Sequence, residues 1–185
     1  MEEDFDIYLE EAGGDELTAL MNLLSDLGFG VKMAGKGDRR RLIITINIKG
    51  THYGTMPIYI DEQRAEDENA YGGRDLSGDA FVSIIKHNTI AELVTTILHE
   101  ICHEVLKKVA PELNTAKEHF IIYAVQIMCM GKLIESQKTE ERTNPYHPYS
   151  NIYVTYMQMN WVESFFIPFW KKLYGIPSIL DEVST

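Results

Sequence analysis

Residues 99–103 read His-Glu-Ile-Cys-His, two imidazoles four positions apart with a carboxylate directly after the first. On a helix, neutral imidazoles at i and i+4 share one face, and both reach a single tetrahedral zinc ion at about 2.1 Å. Glu100 cannot ligate in that geometry. It can reach a water at the open fourth position, take its proton as general base and return it to a leaving amine. That is the chemistry of a zinc hydrolase; the plainer alternative is a solvated helix face that carries the same letters by chance.

The helix that would present them supports the metal. Thr89-Ile-Ala-Glu92 has the form of a capping box, so a helix is predicted from there to about Val109, stopping before Pro111. At roughly 100° per residue, Ile90, Val94, Ile97, Leu98, Ile101, Cys102 and Val105 make one apolar arc. His99 and His103 fall side by side on the opposite face, outside that arc. Cys102 points into the arc and is expected to be a core thiol near Cys129.

A third ligand must come from elsewhere. A second helix is predicted from about residue 115, apolar all round through 120–130, and a short turn between the two makes them antiparallel. His103 lies about 9 Å before the end of its helix, so its counterpart falls four to six positions into the next. Glu118 and His119 are there. Thr115-Ala-Lys-Glu118 is itself a capping-box pattern, which would leave His119 as the ligand. Glu118 is the favoured ligand, with His119 as the alternative and His147 a more distant one.

The pattern over about residues 80–130 resembles the zincin metallopeptidases, in particular the short gluzincin-like soluble enzymes of the ImmA/IrrE kind and their phage-encoded relatives. The resemblance implies an α+β, zincin-like fold: a small mixed or antiparallel sheet ending in an edge strand, then the His-Glu-x-x-His helix, then a helix with the third ligand. It implies a Zn2+ cofactor held by His99, His103 and Glu118, with Glu100 catalytic, acting on a protein or peptide substrate. The metzincin extension is absent, since Leu106 and Val109 stand where it needs glycine and histidine. The thermolysin-like Asn-Glu run after the motif is also absent.

The rest of the chain fits one domain over 1–185, with a helix and sheet in 15–87 and a helical part bearing the metal site in 88–175. Leu17, Leu20, Met21, Leu24 and Leu27 have helical spacing, stopped by Gly28. Strands are predicted at 29–33, 41–49, 56–61 and 81–87, the third with Pro57 as a sign of an edge or a strand start. The last of them is read as the peptide-binding edge strand, and the acidic, glycine-containing stretch 62–79 as an exposed loop. Residues 136–150 read as a loop in which Tyr146, His147 or Tyr149 could serve as a lid, and 152–174 as an aromatic-rich helix.

A net charge of −11 repels phosphate backbones, so nucleic acid is not an expected partner. No apolar run approaches the roughly 20 residues of a membrane span, no secretory signal is legible, and two cysteines suit a reducing compartment. A cytoplasmic enzyme is therefore expected. The competing class is a zincin-like binding or regulatory module with little or no peptidase activity, its acidic surface meeting a basic protein. Neither oligomeric state nor cleavage specificity is legible in these residues.

Overall fold

The computed structural model describes residues 3–48, 50–119 and 121–122. The expectations for the later residues lie outside that range: the rest of the second helix with Cys129, the 136–150 loop with Tyr146, His147 and Tyr149, and the aromatic helix at 152–174. The chain divides into two compact units, Met1–Glu104 and Val105–Thr185.

The first unit is mixed α and β. Helix α1 (Glu3–Glu11) is followed by α2 (Glu16–Asp26), whose N-cap is Asp15 with its side chain accepting from the Thr18 amide. The apolar stripe of α2 read from the sequence is buried at Leu17, Leu20 and Leu24. Strands β1 (Gly30–Ala34), β2 (Arg41–Ile48) and β3 (Thr51–Ile60) form an antiparallel meander. Along β2 the period of two holds: Leu42, Ile44 and Ile46 are buried, and Ile43 and Thr45 on the other face are only partly covered.

Three further expectations have mixed outcomes. First, Pro57 sits inside β3 rather than at its start, opposite Ile43 in the register with β2; the register with β5 begins only at Ile58, so the reading of an edge position holds and that of a strand start does not. Second, the acidic 62–79 stretch is not one loop. It holds helix α3 (Glu62–Asp67), capped by Asp61 and anchored by the fully buried Ala65, and a short strand β4 (Gly72–Arg74). Third, the strand before the His-Glu-x-x-His helix is only β5 (Ala80–Val82), and it is not an edge. The sheet order is β1-β2-β3-β5-β4, with β5 parallel to β3 and antiparallel to β4.

β4 escapes detection in the sequence because two of its three residues are glycines, which disfavour strands. At Gly72 the packing requires one. A Cβ on Gly72 would come within 2.8 Å of the Phe81 carbonyl oxygen and 2.9 Å of Thr96 Cγ2. Residues 83–87 form a turn held by Glu62, which accepts from the Ser83 hydroxyl (2.5 Å) and the Ile84 amide (2.7 Å). Helix α4 (Ile90–Val109) follows, and none of the described helices is long and apolar enough to cross a membrane.

Candidate metal centre

Helix α4 starts where the capping-box pattern places it. Thr89 Oγ1 accepts from the Glu92 amide (3.1 Å), while Glu92 reaches back one residue further than usual, to the Asn88 amide (2.8 Å). Its arc is buried at Val94, Ile97, Leu98, Ile101, Cys102 and Val105, and Leu93 and Leu106 join it. Burying that arc fixes the rotation of the helix and holds the opposite ridge, His99 and His103, away from the core. The two rings lie edge to face, with centroids 5.0 Å apart and planes at 68°.

The helix opening at residue 115 is capped one residue earlier than the Thr115-x-x-Glu118 pattern suggests. Asn114 Oδ1 accepts from the Lys117 amide (2.9 Å) and the Asn114 carbonyl from the Glu118 amide (3.0 Å). The ligand atoms that come together belong to His99, His103 and His119, all within 4.8 Å of one another. Glu118, favoured on sequence spacing, is buried and is not in that group. Both residues satisfy the axial spacing. One position along a helix turns a side chain by about 100°, and axial spacing alone does not resolve that rotation.

Glu100 is only 5% exposed and is held by Arg74, a residue the sequence reading passed over. Every N–H of the Arg74 guanidinium has an acceptor. Nε donates to Glu100 Oε2 (2.7 Å), and Nη2 to the Glu100 carbonyl (2.8 Å) and to Met56 Sδ (3.5 Å). Nη1 donates to Glu104 Oε1 (2.6 Å) and to the Gly78 carbonyl (3.1 Å). Glu100 and Glu104 thus form a second i,i+4 row beside the histidine row, and β4 supplies its counter-charge. A signal for this was present: two carboxylates one turn apart on a largely buried helix need a cation.

His87 shows what a structural histidine looks like in the same unit. It is buried, Nδ1 donates to the Ser83 carbonyl (2.6 Å), and Nε2 lies 2.7 Å from Thr96 Oγ1. Burial pushes its imidazole below the usual range, against the opposing pull of the Ser83 carbonyl and the Glu92 and Glu62 carboxylates. An open cleft of about 430 Å³ lies elsewhere, lined by Asp15, Glu16, Arg40, Arg41, Tyr59 and Glu62 among others. It includes none of these histidines, and its arginines are already engaged by Asp15 and Asp79.

The donor set suits zinc. Three imidazole nitrogens are protein ligands of the type found in catalytic zinc sites, where a fourth position stays open. Tetrahedral coordination at about 2.1 Å implies nitrogens about 3.4 Å apart. From a spread within 4.8 Å, each ring needs to move by less than about 1 Å to close on such an ion. No protein-family model, curated protein or solved structure matches this chain.

Proposed function

We propose that this chain is a zinc-dependent metallopeptidase with a zincin-like fold, working in the cytoplasm on a protein or peptide substrate. His99, His103 and His119 hold the ion, and Glu100 is the general base. The observation that carries this reading is the meeting of three imidazole nitrogens within 4.8 Å, two of them in a His-Glu-x-x-His helix. Zinc held there supplies a Lewis acid that polarises a carbonyl and lowers the pKa of water. Glu100 receives the proton of the attacking water as the new C–O bond forms, then delivers it to the amide nitrogen as the C–N bond breaks. With Oε2 accepting from Arg74, Oε1 is the oxygen assigned to that transfer.

The hold of Arg74 on Glu100 also motivates a second reading, in which the same ion is structural and the acidic chain is a binding module for a basic protein. Metal analysis and kinetics on the same variants separate the two. After dialysis against a weak chelator, about one zinc per chain is expected. His119→Ala loses it and Glu118→Ala keeps it; the reverse pattern returns the ligand role to Glu118. Glu100→Gln keeps zinc and loses cleavage of a peptide pool by about 10²- to 10⁴-fold. A folded wild-type chain without metal ends the peptidase reading, and zinc without any cleavage leaves the binding module.

A further inference from the structure

We infer that Arg74 is the positioning residue of this site: it sets the direction of the Glu100 carboxylate and acts only through it. The inference rests on the peptidase reading for its kinetic consequence, but the geometry is independent of that reading. A carboxylate on a helix has two soft torsions beyond χ1, and a base that must meet one particular proton loses rate when they wander. Arg74 removes that freedom in an unusual way. One guanidinium takes both the Oε2 and the backbone carbonyl of Glu100, so side chain and helix backbone are tied to the same planar group.

The guanidinium is itself immobilised. Its remaining donors go to Glu104, the Gly78 carbonyl and Met56 Sδ, so it cannot slide along the helix or swing to solvent without breaking several bonds. The strand that carries it is paired with β5 and packs so close to α4 that a Cβ on Gly72 would meet Thr96 Cγ2 at 2.9 Å. Lysine could supply the charge at this place but not a planar fork of five donors. One carboxylate oxygen is thereby spent on orientation and the other is left for proton transfer. That division of labour separates a positioning residue from a simple ion-pair tie.

The test is a double-mutant cycle on the full chain, using Arg74→Lys, Glu100→Gln and the double variant, with Glu104→Gln as a milder disturbance of the same clamp. Zinc content, kcat and KM on a pool of quenched fluorescent peptides, and the visible spectrum of the cobalt(II)-substituted protein are measured. Arg74→Lys should keep one metal per chain and an unchanged KM but lose about 10- to 100-fold in kcat. Glu104→Gln should lose less, in the same direction. In the Glu100→Gln background Arg74→Lys should cost under about twofold, because the group it acts through is already gone.

An equal loss in both backgrounds, a loss confined to KM, no loss at all, or loss of the metal overturns the inference. If the wild-type chain cleaves nothing, the peptidase reading fails while the cobalt spectra still decide. Bands that move with Arg74→Lys in the wild-type background but not in the Glu100→Gln background keep Arg74 as the residue that positions Glu100. Bands that stay in place, or move alike in both, overturn it.

Discussion

Two of the arginine–carboxylate clamps in the first unit are built from the same chemistry and placed in different surroundings. At the start of α2, Arg40 grips Asp15 through both oxygens, at 2.6 and 3.0 Å, with the side chains 37% and 35% exposed. At the sheet's β4 edge, Arg74 grips Glu100 and Glu104, with the Arg74 side chain 21% and the Glu100 side chain 7% exposed. Water competes for the first pair at all times, and its work is local: Asp15 also caps α2 through Thr18. In the second, a charge has been taken out of water and depends on its partner. The first trims a helix end, whereas the second decides whether a buried carboxylate is tolerated at all.

Removing the cation from the buried clamp should have the largest effect. Arg74→Ala leaves Glu100 buried without a counter-charge and is expected to cost about 3 kcal/mol in urea unfolding. A loss close to that of Arg40→Ala would show that burial does not separate the two clamps. Next comes Gly72→Ala, whose new methyl must displace the Phe81 carbonyl or Thr96 and so push β4 outward. It should cost about 2 kcal/mol. It should also make a subsequent Arg74→Ala less costly, since the clamp is already loosened. Strict additivity would mean that β4 does not set the clamp.

The smallest effect belongs to the exposed clamp and shows only in acid. Hydrogen bonds from Arg40 and then Thr18, against the opposing effect of burial, hold the Asp15 carboxyl well below the usual carboxylate range. Its folded pKa is therefore below its unfolded one, so its contribution is fully present above about pH 4 and drains away as the pH falls toward the folded value. Asp15→Asn has no such proton to take up. Between about pH 5 and about pH 2 its urea midpoint should fall slightly less than that of the wild type. Parallel curves would show that Arg40 leaves no mark on stability.

Where the chain announced its structure, side-chain period and end signals agreed. The Leu17–Leu20–Leu24 stripe, the alternation of Leu42, Ile44 and Ile46, and the Thr89 cap with its apolar arc are all local patterns, and local patterns are legible. His99 and His103 belong to the same class, since one helix turn puts them side by side. What escaped is set by tertiary fit. Gly72-Gly73-Arg74 has the composition of a loop and is a strand through its pairing with β5, with Phe81 and Thr96 leaving no room for a Cβ at Gly72. The choice between Glu118 and His119 turns on one residue's rotation about a helix, and the pairing of Arg74 with Glu100 spans 26 positions.

The parallel pairing of β3 with β5 carries a consequence for the order in which the chain assembles. β1, β2 and β3 follow one another through short connections and need little loop closure to meet. β5 must wait for residues 61–79 to fold back before it finds β3, and β4, paired with β5, enters the sheet with it. Contacts between near neighbours form sooner than distant ones, and a chain leaving the ribosome presents its N-terminal residues first. The meander is then a template completed before the β4–β5 side of the sheet is added. Pulsed hydrogen exchange during refolding should protect the β2–β3 amides ahead of those of β5, and simultaneous protection would refute this order.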